Sequence, residues 1–265
     1  MAKKEYLFCS TLHDPEFRLK DLLKSTLPKI KELFVKGIIC LTPYTPNEVL
    51  SFLLNEGFIA IVEPSDKHID TYRTAIRTAL DNIDNPTFQR IFHIDFDRLI
   101  HWIHSYPEEL TNILKDHQDV EYLHIGRTFR AFETHPSTQK KTEIIVNEIG
   151  SKILGLKNPI DIISVCYAFT KELGEKILMV NNSTKLGFYG SWPVYFWNFA
   201  NSKRYVEVEG HEWETPDRFK DEIDEIGIEK WMIQLQSPEE WDKRVRYLHE
   251  CLLELFECTK YDFLK

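Results

Sequence analysis

The amino-acid sequence predicts an α/β fold: a mostly parallel sheet flanked by helices, with a C-terminal helix closing the domain. Two observations carry this prediction. Apolar runs at residues 5–12, 37–41 and 58–62 alternate with stretches whose apolar residues recur every three or four positions. Such strand–helix alternation builds parallel sheets with right-handed crossovers. The second and third runs are also apolar throughout, as strands covered on both faces are.

Each element follows in order. Residues 5–12 form the first strand, after which Asp14 can cap a helix with Pro15 at its first position. Phe17, Leu19, Leu22, Leu23, Leu27, Ile30, Leu33 and Phe34 then recur at roughly helical spacing, and Pro28 should kink or divide that helix. The strand at 37–41 leads to a helix opened by Thr45-Pro46 and ended by Gly57, and residues 58–62 make a third buried strand. A helix over 67–80 places Ile69, Ile76 and Leu80 inward, with Tyr72, Arg73 and Arg77 toward another face. Residues 89–95 form a fourth strand ending in Asp95-Phe96-Asp97. A helix follows at once through His101, Trp102 and Ile103, and Pro107 opens the next. Residues 120–125 are a fifth strand, closed by Gly126-Arg127-Thr128.

Past residue 128 the rhythm changes. A polar loop at 129–136 precedes a long helix over 138–154 with Ile145, Ile149 and Ile153 on one stripe. Residues 161–169 are strand-like, 171–179 form a short helix, and the aromatic-rich 192–199 is a helix packed on the sheet. Residues 205–209 alternate as a half-exposed strand does, and Val245, Leu248, Leu252 and Leu255 mark a closing helix from Pro238. No repeat, linker or low-complexity segment divides the chain, so residues 1–265 read as one domain.

Composition bounds the function. Forty-three per cent hydrophobic residues over 265 positions supply a sizeable core. A formal charge of −9 and a pI near 5.6 argue against sequence-independent nucleic-acid binding, which relies on basic residues to displace counterions from phosphates. Cys9, Cys40, Cys166, Cys251 and Cys258 are scattered, without Cys-x-x-Cys spacing, and read as buried thiols in a reducing compartment. No window approaches ~18 continuous apolar residues, so no transmembrane segment is expected and the chain is assigned to the cytoplasm.

The chemistry centres on Asp95 and Asp97. Carboxylates at i and i+2 point to opposite faces of a continuing strand and converge only if the chain turns there, which the immediate helix favours. A convergent pair at the carboxyl end of a parallel strand suits Mg²⁺ or Mn²⁺, because hard cations take one or two carboxylates with phosphate oxygens completing the shell. Ligands of open α/β sheets also sit at that edge. The alternative is that either aspartate merely caps the helix near Arg98.

Several stretches in this order resemble the nucleotide-diphospho-sugar glycosyltransferases of the GT-A fold, especially family-2 enzymes of the dolichol-phosphate mannose synthase type. They are the basic helix from Tyr72-Arg73 through Leu80, the strand ending in Asp95-Phe96-Asp97, and the Tyr106-Pro107-Glu108-Glu109 step. Asp161-Ile162-Ile163-Ser164 followed by Glu175-Lys176-Ile177, and the late strand Val206 to Trp213, continue the resemblance, which covers about residues 5–218. The chain departs from that family in having Thr42-Pro43-Tyr44-Thr45 where an Asp-Asp-x-Ser motif usually stands, and Ser10-Thr11-Leu12-His13-Asp14 in place of a Pro-x-x-Asn-Glu signature.

The resemblance implies a GT-A (Rossmann-like) sheet that binds a nucleotide-diphospho-sugar donor and transfers the sugar to an unidentified acceptor. It assigns residues 5–128 to the nucleotide-sugar half, 129–218 to the acceptor side and 219–265 to a C-terminal helical extension. Asp95, Asp97 and His211 would hold Mn²⁺ or Mg²⁺, and Ser10, Thr11, His13, Asp14 and Arg73 would meet the nucleotide. Glu212 or Glu214 would act as general base, with Arg127, Thr128, Arg130, Glu133 and His135 on the sugar or acceptor side. Two alternatives stand beside this: a catalytically inactive nucleotide-binding or interaction module of the same fold, and a haloacid-dehalogenase-type phosphohydrolase, which also carries Asp-x-Asp after a strand.

Overall fold

The computed structural model describes residues 6–84, 90–261 and 263; the expected first residues of the first and fourth strands, Glu5 and Gln89, lie outside them. The elements run β1 (Tyr6–Leu12), α1 (Lys20–Leu33), β2 (Gly37–Leu41), α2 (Asn47–Asn55), β3 (Ile59–Val62), α3 (His68–Asp81), β4 (Arg90–His93), α4 (Phe96–Ser105), α5 (Pro107–Asp116) and β5 (Tyr122–Arg127). Then come α6 (Phe129–Glu133), α7 (Ser137–Ile153), a 3-10 turn at Ile162–Ser164, β6 (Tyr167–Phe169), α8 (Lys171–Met179), α9 (Phe188–Phe199) and β7 (Lys203–Val208). A second 3-10 turn at Thr215–Arg218 leads to α10 (Lys220–Ile226), α11 (Ile228–Gln234) and α12 (Pro238–Cys258).

Among the described residues the sheet has seven strands in the order β3-β2-β1-β4-β6-β5-β7. All neighbours are parallel except β6, which runs antiparallel to β4 and β5. Two apolar layers cover the sheet. Leu7, Cys9, Ile91, Tyr167 and Phe169 face α3, α9 and α12 on one side, while Phe8, Ile39, Phe92, Leu123 and Ala168 face α1, α2 and α4 on the other. The alternation of strand side chains makes this division possible, since successive residues point to opposite faces. The five cysteines are free and buried, as their apolar neighbours suggest. Among the described residues no helix is long and apolar enough to cross a membrane.

Several local expectations need correction. Strand β3 is an edge strand: Ile59, Ala60 and Ile61 are only half-buried and Val62 is exposed, because no strand among the described residues pairs beyond it. Helix α1 continues through Pro28, which lies on its exposed side. Strand β5 includes Gly126 and Arg127, and the supposed polar loop after it contains α6. Of the expected isoleucine stripe on α7, Ile149 and Ile153 are half-buried and pack against the core, whereas Ile145 is exposed. The fully buried residues of this helix are mostly polar: Thr138, Gln139, Thr142, Glu143, Asn147 and Ser151.

The switch point of this sheet lies between β1 and β4, where the strand order reverses after 3-2-1. A crevice opens there beyond the carboxyl ends of the strands, the usual ligand position in such sheets.

Candidate functional site

Asp95 stands where β4 becomes α4. Its backbone occupies the helix-capping position (φ −64°, ψ 138°), yet its side chain makes no capping bond. Instead Asp95 Oδ1 accepts from Thr11 Oγ1 at 3.2 Å and from the Tyr72 hydroxyl. The capping alternative is therefore excluded for this carboxylate, which is turned across the crevice toward β1 and α3. Asp97 lies in the first turn of α4. Its Oδ1 accepts from the Arg98 backbone N–H at 2.9 Å, and its Oδ2 is paired with Arg218. The turn thus brings both aspartates to one recess of about 190 Å³.

That recess is walled by Thr11, His13, Thr42, Tyr72, Tyr189 and Arg218, so it collects the ends of β1, β2 and β4. His13 Nδ1 lies 2.9 Å from Thr42 Oγ1, which ties the first two strand ends together. Tyr72 was expected on a face away from the core. It is instead buried, and its ring packs against Phe188 and Tyr189 while Tyr189 donates to its hydroxyl at 2.9 Å.

Asp95 also opens onto a second recess of about 340 Å³, bounded by Arg98, Gln139, Glu214 and, from α12, Lys243, Arg244 and Tyr247. Asp95 and Tyr189 line both spaces. The Asp95 carboxyl is pushed up to about 6 by burial and by the neighbouring Asp97 charge, against the opposing pull of Arg98 and the Tyr72 hydroxyl. The Asp97 charge acts on Asp95 as a repulsion that an added cation would relieve. Behind them Arg98 donates to Ser164 O and stands 3.6 Å from Glu214 Oε2. Val165, which lines the second recess, has φ +55°, a conformation that is strained for a β-branched residue and recurs at functional sites.

The segment after β7 is held over α4. Gly210 crosses Trp102 so closely that a Cβ there would lie 1.8 Å from the ring, which is why glycine stands at this position. Glu109 accepts from the backbone N–H groups of Glu209 (2.8 Å) and Gly210 (2.9 Å), and His101 pairs with Asp217 (2.8 Å). These contacts carry Glu214 and Arg218 to the two recesses.

The other expected site residues divide sharply. His211 is fully buried, its ring 4.6 Å from Trp102, and both ring nitrogens lack partners. Burial and Arg98 hold it well below the usual histidine range. Among the described residues no group of three or more His, Cys, Asp or Glu side chains is placed to hold a metal ion, so His211 does not complete a triad with the aspartates.

Arg73 does not face the first recess. Its guanidinium donates to Leu178 O (3.1 Å), Val180 O and Asn182 Oδ1 (3.2 Å), bracing α3 against the end of α8. Asp14 accepts from the Arg18 and Leu19 backbone N–H groups, both at 3.0 Å, which is a turn-stabilising role. Ser10 is buried inside β1. Glu212 is engaged by Arg130 (2.7 Å), Tyr106 (3.3 Å) and His101 (3.4 Å), leaving Glu214 as the carboxylate beside Asp95.

On the other side, Arg127 binds Asp161 (2.7 Å) and Glu143 (2.8 Å) and lines the second recess. Thr128 caps α6 by accepting from Ala131 N at 3.1 Å, Arg130 pairs with Glu209, and Glu133 pairs with Lys140 at 2.7 Å. His135 is buried against the Ala131 carbonyl, 3.1 Å away.

Four residues of this site carry no role read from the sequence: Thr42, Tyr189, Arg218 and Arg98. Thr42 and Arg98 directly flank strand and motif and could have been found by adjacency. Arg218 and Tyr189 lie more than ninety positions from Asp95 and leave no local signal.

No protein-family model matches the chain, and no curated protein sequence does either. The fold has solved counterparts. Glucosyl-3-phosphoglycerate synthase from Mycobacterium tuberculosis in complex with UDP superposes with a TM-score of 0.50 at 8% identity, over 98% of this chain and 82% of that one. The same enzyme with Mn²⁺, UDP-glucose and phosphoglyceric acid gives 0.51 at 10% identity, over 98% and 81%. At this identity the likeness establishes the architecture, a GT-A sheet flanked by helices and closed by a C-terminal helix.

Proposed function

We propose that the chain is a metal-dependent glycosyltransferase that moves a sugar from a nucleotide-diphospho-sugar to a hydroxyl acceptor. The observation that carries this reading is the position of Asp95, shared by a recess at the sheet's switch point and a second recess flanked by Glu214. A donor bound in the first would present its sugar toward an acceptor in the second. The solved counterpart is known in complex with UDP and with Mn²⁺ and UDP-glucose, which supports a nucleotide-sugar as the donor class.

Asp95 and Asp97 offer the oxygen donors that Mn²⁺ or Mg²⁺ requires, and their mutual repulsion favours a cation between them. Such an ion, when bound, neutralises charge developing on the diphosphate leaving group, worth several kcal/mol. Thr11, His13 and Thr42 line the nucleotide side. Arg218 is paired with Asp97, and a cation taking that carboxylate would release its guanidinium fork to match phosphate oxygens. Glu214 is the base for the acceptor hydroxyl. Of the polar group after β5 only Arg127 belongs to the acceptor recess in this reading. As the acceptor oxygen bonds the anomeric carbon, the bond from that carbon to the diphosphate breaks. The nucleoside diphosphate leaves with the electron pair, and the hydroxyl proton passes to Glu214.

The test is a thermal-shift panel of UDP, GDP, CDP and TDP compounds with Mn²⁺. A ligand at 100 times its dissociation constant stabilises by about 2.7 kcal/mol, a readable shift. One nucleotide should give it, and Asp95→Asn and Asp97→Asn should abolish it. No shift with any nucleotide would refute the proposal.

A further inference from the structure

The recess beside Glu214 carries its own record of what it accepts. Every cation on its wall stands against a carboxylate. Arg98 faces Glu214 (3.6 Å), Arg127 is bound by Asp161 (2.7 Å) and Glu143 (2.8 Å), and Lys243 and Arg244 share Glu240 (3.3 and 3.0 Å). Asp95 adds a further negative charge. An entering phosphate or carboxylate would have to break one of these pairs or sit among carboxylates, and like-charge contacts of that kind disfavour binding.

The same wall has hydrogen-bonding capacity left over. Arg98 is 7% exposed, and its Nε has no partner; Glu214 Oε2 accepts no hydrogen bond. The first of these groups can only donate and the second only accept. A hydroxyl does both and serves each without bringing charge. Trp213, Tyr189 and Tyr247 supply aromatic surface on which the C–H face of a sugar or polyol packs. At about 340 Å³ the space is at the low end of ligand pockets, roughly 300–1,000 Å³, so the occupant is small.

We infer that the acceptor is a small uncharged polyhydroxyl compound, a polyol or monosaccharide, and not a phosphorylated or carboxylated one. This rests on the glycosyltransferase reading above and specifies its acceptor. The solved counterpart, whose complex contains phosphoglyceric acid, marks the contrast.

The experiment incubates the full chain with Mn²⁺ and the nucleotide-sugar that gives a thermal shift, and measures nucleoside diphosphate release. Glycerol, mannitol, glucose and mannose are compared with glycerol 3-phosphate, 3-phosphoglycerate and glucose 6-phosphate. At least one neutral compound should raise release about tenfold or more over the acceptor-free rate, with the sugar recovered on it, while the charged compounds do not. Glu240→Gln, which frees Lys243 and Arg244, should move the ratio of charged to neutral acceptor use upward by about tenfold. Donor binding with release stimulated only by charged acceptors, or by none of either class, overturns the inference and leaves the donor reading standing. No donor binding and no release overturns both.

Discussion

Two carboxylate clusters at strand ends on this sheet have opposite electrostatics, and the difference separates a site from a strut. Asp161 is buried against the end of β5. Arg127 donates to it through its backbone N–H and its guanidinium, and Asn147 adds a bond at 3.0 Å. Despite a desolvation penalty, these donors hold Asp161 well below the usual carboxylate range. Asp95, at the end of β4, accepts from two hydroxyls, faces a second aspartate and is pushed up to about 6. A saturated carboxylate stabilises the fold. An undersaturated one at a cleft is poised for a ligand, which is the sense in which perturbed groups mark functional sites.

The sharpest way to break this comparison is to neutralise both. Asp95→Asn and Asp97→Asn should each lower kcat/KM for sugar transfer by about 100-fold or more, the loss expected when a cation's charge stabilisation is removed. Asp95→Asn should not lose stability. Its raised value means the folded chain holds a proton between about pH 4 and pH 6 that the unfolded chain has released. The destabilisation by Asp95 is thus full above about pH 6 and gone below about pH 4. The variant should melt roughly 2–4 °C higher near pH 7.5, a gain of about 1 kcal/mol that fades by about pH 4. A lower melting temperature at neutral pH would place Asp95 with the struts.

Asp161→Asn should behave in the opposite way. It should cost about 3–5 kcal/mol at neutral pH by leaving Arg127 without its principal partner, while donor affinity per folded molecule stays unchanged. Because the Asp161 value is depressed, its stabilisation is present above the unfolded carboxylate pKa and lost as pH falls through the folded one. Unfolding curves of wild type and variant should therefore converge in acid.

A smaller effect separates two arginines. Arg218→Ala should raise the donor KM by about tenfold, whereas Arg73→Ala should leave it unchanged and lower stability by about 1–3 kcal/mol. A donor KM that rises only in Arg73→Ala would return that residue to the site. The smallest effect concerns His101, which the hydrogen bond to Asp217 and the charges of Asp217, Glu214 and Glu212 raise above its ordinary value against the pull of burial. Its contribution is complete below the unfolded value and is lost as pH rises through the folded one. After correction for intrinsic exchange rates, amides of residues 212–218 should be better protected near pH 6 than near pH 9.

Much of this was legible because it is local. The continuous apolar run at 37–41, the Pro107 helix start and the spacing of Ile69, Ile76 and Leu80 along α3 report burial directly, since side-chain direction repeats with period 2 or 3.6, although Tyr72 on α3 is buried and Val245 on α12 is exposed against that spacing. Errors fell where the same pattern serves two environments. Residues 58–62 are as apolar as 37–41, but their strand is at an edge. On α7 Ile149 and Ile153 pack inward as their spacing implies, but Ile145 does not, because the helix also turns Glu143 and Asn147 inward to bind Arg127 and Asp161.

Local pattern in the sequence specifies the α/β alternation, much of the core and the turn that brings Asp95 and Asp97 together after β4. Which groups meet them follows from packing between elements far apart in the chain. Tyr72 reaches Asp95 because α3 packs on β1, and Tyr189 reaches Tyr72 because α9 closes the same layer. Arg218 meets Asp97 from 121 positions away because Gly210 lets the chain pass over Trp102. Periodicity encodes which face of an element is buried. It carries no information about the partner that buries it, and the partners set the charge balance of both recesses.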